Sequence, residues 1–108
     1  MSLTQKTCIP CQGGMPALPL ADAVTLMDQV PGWALSDAGD RISRHFTFGD
    51  FVAALDFVNR LGALAEAEGH HPDISFGWGY ADVVFFTHKI KGLHENDFIM
   101  AAKTNALI

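Results

Sequence analysis

The residues best suited to chemistry are three histidines, His70, His71 and His88, with two carboxylates, Glu66 and Asp97, spaced around them. Imidazole is the side chain whose ordinary pKa suits proton transfer near neutral pH, so several together can supply both an acid and a base. Pro72 disfavours a helical backbone at His71, which sets the adjacent pair at a fixed bend. Glu66 stands one helical turn before His70. At about 100° per residue it falls on the border of the buried helix face, while Glu68 points away from that face. A carboxylate at a core edge beside histidines is a candidate to orient an imidazole or handle a proton.

Each of these residues also has a purely structural reading. A helix C-terminus favours cationic imidazoles, so His70 and His71 could be charge-compensating caps. His88 could be an ordinary residue at the end of a strand, and Glu66 half of a solvated ion pair. Asp97, in the first turn of the last helix, would be stabilising there without any active-site duty. A metal site is disfavoured because adjacent histidines chelate one tetrahedral ion poorly and the His-x-x-x-His spacing is missing. Cys8-x-x-Cys11 could be half of a zinc site or a redox pair, but no second cysteine pair exists and its flanks are not a strand and a helix. It reads as part of an N-terminal arm, with adventitious or intersubunit metal binding, or a metal sensor completed by a histidine, as its other uses.

The elements that must position these groups follow from periodicity. Residues 1–18 read as an irregular arm, and residues 19–108 as a single domain. Leu20, Val24, Met27 and Val30 recur at helical intervals over residues 19–30, with Pro19 suited to a first turn and Pro31-Gly32 as a stop. Residues 33–35 and 41–48 form a hairpin in which Ile42, Arg44, Phe46 and Phe48 share a face. A long helix spans residues 49–68, with Thr47-x-x-Asp50 resembling a capping box. Its apolar stripe is Phe51, Leu55, Val58 and Gly62, widened by Ala54, Leu61 and Ala65. Residues 73–78 and 81–88 form a second hairpin around Gly79-Tyr80, and a final helix starts near residue 95. The order α-β-β-α-β-β-α predicts an α+β fold, a four-stranded antiparallel sheet with three helices on one face. Val83 and Phe85 project to one side of the second hairpin, Val84 and Phe86 to the other. A sheet apolar on both sides but covered on one argues for self-association.

With 108 residues, 49% of them hydrophobic, the chain holds one globular domain. Twelve acidic against seven basic residues, with no basic cluster, argue against nucleic-acid binding. The absence of an apolar run near membrane-spanning length and of a signal-peptide pattern predicts a cytoplasmic protein with no membrane partner.

Read in order, Glu66-x3-His70-His71-Pro72-x5-Trp78-x9-His88-x8-Asp97 closely resembles the signature of the pterin-4a-carbinolamine dehydratases, matching seven positions at the expected spacings. The Thr87-His88 and Gly92-Leu93 pairs are similar to that family too, and the resemblance runs from about Pro19 to the C-terminus. It implies the same four-stranded sheet with three helices on one side, assembled as a homodimer or homotetramer. It also implies removal of water from 4a-hydroxytetrahydropterin to give quinonoid dihydropterin, which recycles the pterin of aromatic amino-acid hydroxylases. No metal or organic cofactor is implied, pterin being the substrate. His70, His71 and His88 would be catalytic, with Glu66, Thr87, Trp78 and Asp97 in substrate binding, and His71 and His88 as the proton-transfer pair. The alternative is a non-catalytic dimerisation or protein-binding module on the same fold, for which the three histidines would not be needed. Three departures stand out. Gly69 replaces a polar residue, His94 replaces a helix-capping serine and so predicts a weaker cap, and Ile74 replaces an aromatic.

Overall fold

A computed structural model describes residues 2–10 and 15–108, so Cys11 of the Cys-x-x-Cys motif lies outside the described residues. Helix α1 (Leu20–Met27) precedes strands β1 (Ala34–Leu35) and β2 (Ile42–Thr47), followed by α2 (Phe51–Glu68), β3 (Asp73–Gly77), β4 (Tyr80–Phe85) and α3 (Glu95–Asn105). Single 3-10 turns occur at Leu3–Gln5 and His88–Ile90. The sheet is antiparallel throughout, in the order β1-β2-β4-β3. The predicted α+β architecture is therefore present.

Registry decides what each sheet face carries. Ile42 pairs with Phe85, Arg44 with Val83 and Phe46 with Ala81, while Ile74 and Phe76 of β3 sit opposite Val83 and Ala81. This face closes on the helices, and Phe85, Val83 and Ile42 are buried with Phe57 and Leu61 of α2 and Phe98 of α3. The other face pairs Ser43 with Val84, and His45 with Asp82, which in turn faces Ser75. The expectation of an apolar outer face is thus corrected. Val84 stands among polar neighbours, and Phe86 lies past the end of β4, against His88, with the Arg41 guanidinium 5.0 Å from its ring centre.

Helix α2 differs from its sequence reading in two ways. Its cap is Asp50 itself, whose carboxylate accepts from the Ala53 N–H at 2.8 Å, so no Thr47 capping box forms. Its buried ridge is Ala54, Phe57, Leu61 and Ala65; Phe51, Val52 and Leu55 are exposed. The helix is apolar over more than one stripe, and periodicity alone does not say which stripe meets the sheet. Phe57 settles it by stacking against Phe46 and Phe48 of the first hairpin, with ring centres 4.7 and 5.2 Å away. Helix α1 ends at Met27, before the predicted residue 30, and Pro19 is its N-cap, one place ahead of the first turn.

The N-terminal segment is tied to α3. Leu3 is buried in the core, Lys6 Nζ reaches Glu95 at 3.0 Å, and the Leu18 N–H donates to the Leu93 carbonyl at 2.8 Å. Gly92 permits this approach: a Cβ there would stand 2.7 Å from Ala17 Cβ.

Candidate active site

Three chain reversals bring the histidines together. At the end of α2, Gly69 adopts the left-handed conformation (φ +67°) that L side chains disfavour, and the Gly69 and His70 N–H groups both return to the Ala65 carbonyl. The helix exit is fixed by these bonds, so His70 and His71 leave it in a set direction. After β4, the Thr87 N–H donates to the Gly92 carbonyl at 2.8 Å, closing a tight loop that contains the 3-10 turn at His88. His88 therefore sits in this loop, past the strand end where the sequence placed it. At the start of α3, His94 caps the helix: its Nδ1 accepts from the Asn96 N–H at 3.0 Å. His94 does supply a side-chain cap.

His70, His71, Thr87 and His88 line one cleft of about 210 Å³, together with Phe86 and with Ile9 from the N-terminal segment. The volume falls below the roughly 300–1,000 Å³ of drug-sized sites, so the cleft suits a ligand of one small ring system better than a bulky one. Polar ring nitrogens beside aliphatic and aromatic walls match what such a ring needs for orientation and for burial.

Asp97 is 0% exposed and lies beneath this cleft. One carboxylate oxygen is 2.6 Å from His70 Nε2; the other accepts from the Thr87 hydroxyl at 2.8 Å and the His94 N–H at 3.0 Å. A carboxylate only accepts, so His70 Nε2 carries a proton and donates it to Asp97. Asp97, read from the sequence as substrate-binding, is thus enclosed behind His70 and Thr87 and hydrogen-bonded to both.

Glu66 is placed differently from its sequence reading as well. Its carboxylate meets His71 Nε2 at 3.0 Å, but the side chain is 79% exposed, outside the buried ridge. Glu68 is the enclosed carboxylate of that turn, accepting from the Cys8 N–H at 2.9 Å and from Lys103 Nζ at 3.1 Å. The reversal has the same cause as the ridge: once Ala54–Phe57–Leu61–Ala65 faces inward, residue 68 continues it and residue 66 does not. Hydrogen bonding from Cys8 first, and then from Lys103, holds the Glu68 carboxyl below the ordinary range despite its desolvation. Burial first, then the Glu68 charge, pushes the Cys8 thiol up to about 12.

Trp78 is not brought to the cleft. It occupies the β3–β4 turn, 71% exposed, at the far end of a hairpin whose strands put about 13 Å between Asp73 and Gly77. The sequence reading also missed Ile9 and Phe86 as cleft walls. Phe86 could have been suspected, being two residues before His88; no local signal marks Ile9, which arrives from far away in the chain. Among the described residues, no three His, Cys, Asp or Glu side chains are grouped so as to hold a metal ion.

Residues 16–107 match the family model of pterin 4 alpha carbinolamine dehydratase. A protein of Azoarcus sp. (strain BH72) assigned as a pterin-4-alpha-carbinolamine dehydratase is 61% identical over 97% of this chain and 90% of its own length. One from Methylococcus capsulatus with the same assignment is 58% identical, over 98% and 93%. Among solved structures, a transcriptional coactivator/pterin dehydratase from Brucella melitensis superposes with a TM-score of 0.80 at 32% identity, covering 84% of this chain and 97% of that one. A pterin dehydratase-like protein identified as a RuBisCO assembly factor in the alpha-carboxysome gives 0.61 at 27% identity, over 70% and 88%. With a family model spanning residues 16–107 and relatives this similar over 90% or more of their own length, the chain belongs to the pterin 4 alpha carbinolamine dehydratase family and is a dehydratase.

Proposed function

We propose that the chain dehydrates 4a-hydroxytetrahydropterins by proton transfer between imidazoles, in the recycling of pterin oxidised by aromatic amino-acid hydroxylases. The observation that carries this is the meeting of His70, His71 and His88 at one small cleft. In the reaction the C4a–O bond breaks, an acid protonates the departing hydroxyl, and a base takes the proton from the neighbouring ring nitrogen. The nitrogen lone pair then forms the C=N bond of quinonoid dihydropterin, and water leaves. His71 and His88 exchange these protons with substrate; His70, held by Asp97, and Glu66, which orients His71, keep the geometry. The test is to add the protein to a running aromatic amino-acid hydroxylase reaction and follow the ultraviolet absorbance of the carbinolamine. Faster decay supports the reading; decay at the spontaneous rate rejects it. The same assay separates catalysis from a purely protein-binding role, a reading that the similarity to a transcriptional coactivator/pterin dehydratase and to a RuBisCO assembly factor keeps in view.

The protein acts in this reading as a homo-oligomer in the cytoplasm. Phe51, Val52 and Leu55 of α2 stay exposed, and Phe76 of β3 stacks against Phe51 with ring centres 5.9 Å apart. An exposed apolar surface of this kind on a small domain supports self-association. No helix is long and apolar enough to cross a membrane among the described residues.

A further inference from the structure

At Ile9 the N-terminal segment is held against the site by hydrogen bonds and not by burial. Ile9 is 55% exposed, so burial does not fix it. Its backbone is instead gripped by one buried side chain: Asn96 Oδ1 accepts from the Ile9 N–H at 3.1 Å, and Asn96 Nδ2 donates to the Ile9 carbonyl at 2.7 Å. Asn96 is itself 1% exposed and fixed by its own N–H to His94. One residue earlier, the Cys8 N–H is taken by Glu68. The product of this clamp is an aliphatic side chain standing at the cleft of the three histidines.

We propose that Asn96 is a positioning residue that pins Ile9 as an apolar wall of the pterin cleft, so that the arm contributes substrate affinity without taking part in proton transfer. The inference rests on the functional reading above and adds to it a specificity-bearing element outside the histidine signature. Asn96 and Asp97 are successive residues of one helical turn, one holding the wall and the other His70, so the first turn of α3 sets both the polar and the apolar side of the site. A half-exposed isoleucine over a cleft is apolar surface that a flat ring would cover on binding, and removing aliphatic groups from such a wall weakens binding by the amounts seen for methylene-sized changes in pockets.

The experiment compares the full chain with Ile9→Ala, Ile9→Val and Asn96→Ala. In the carbinolamine assay, KM rises roughly three- to tenfold in Ile9→Ala and Asn96→Ala with kcat within about twofold, and about twofold in Ile9→Val, the graded loss that half-covered methylenes give. Because Ile9 is half exposed, the thermal midpoint of Ile9→Ala stays at the parent value, which separates the effect from loss of folding. A second readout needs no turnover. Trypsin cleavage after Lys6 is slow in the parent, slower still with saturating 7,8-dihydropterin, and fast in Asn96→Ala. An active parent with an unchanged KM in Ile9→Ala overturns this inference alone, as does an arm whose cleavage ignores both dihydropterin and Asn96→Ala. A parent that neither speeds dehydration nor binds dihydropterin overturns the functional reading and this inference with it.

Discussion

His70 Nε2 stands 2.6 Å from Asp97 Oδ1 although 27 residues separate them in the chain. The contact joins the exit of α2 to the entry of α3. Because Asp97 also receives the Thr87 hydroxyl and the His94 N–H, one buried carboxylate ties the two segments that carry the cleft histidines to the start of α3. A group accepting three hydrogen bonds out of water is costly to change in either charge or shape.

Asp97→Asn follows directly. An amide in that place turns one acceptor into a donor facing donors. Stability should fall by about 1–3 kcal/mol in urea unfolding. With His70 no longer held by a carboxylate, kcat/KM should fall by up to roughly 10⁴-fold, the loss seen when such a carboxylate becomes an amide beside a histidine that itself transfers the proton. An active enzyme with unaltered kinetics would show that the carboxylate on His70 is irrelevant to turnover.

His71→Ala and His88→Ala should each reduce kcat by about 10²–10⁴, the usual contribution of a positioned acid or base. Glu66→Gln should cost far less. Both members of the Glu66–His71 pair are largely exposed, so stability should shift by no more than about 0.5 kcal/mol. A Glu66→Gln loss as large as that of His71→Ala would mean the carboxylate itself meets substrate.

Acid should loosen the N-terminal segment through Glu68. Its carboxyl is held below the ordinary value of 4.5, chiefly by the Cys8 N–H, so the stabilisation is complete above that pH and disappears as pH falls through the lowered folded value. Glu68→Gln should be less stable than the parent by about 1–3 kcal/mol at pH 7. Urea midpoints measured at decreasing pH below 4.5 should show that gap narrowing.

Alkali should act on Cys8 in the opposite direction. With the thiol pushed up to about 12 from an ordinary 9.0, its contribution is intact below pH 9 and is lost as pH rises from 9 to 12. In a Cys11→Ser background, iodoacetamide at pH 8.5 should modify native Cys8 at least roughly tenfold more slowly than the urea-unfolded chain, because the thiolate is the nucleophile.

Phe51→Asp should reduce the sedimenting mass in analytical ultracentrifugation toward that of a single chain while leaving the fold's circular dichroism intact, since Phe51 is exposed on one chain. An unchanged mass would move the association surface elsewhere.

The seven-position histidine signature, the order of elements and the antiparallel hairpins were all legible in the residues, because local periodicity, turn chemistry and spacing are properties of neighbouring positions. Which carboxylate of the α2 exit is enclosed was not. Glu66 and Glu68 differ only in azimuth around a helix apolar on more than one side, and the choice was made by Phe57 packing on Phe46 and Phe48. Asp97 looked like a helix-entry carboxylate with access to substrate; only its burial beneath His70 and Thr87 made it a support. Trp78 belongs to the signature by spacing, yet the rigid length of a β hairpin carries it away from the histidines of its own chain. Ile9 reached the cleft through an asparagine 87 positions later in the chain, and contacts of that span depend on packing free energy that no local pattern encodes.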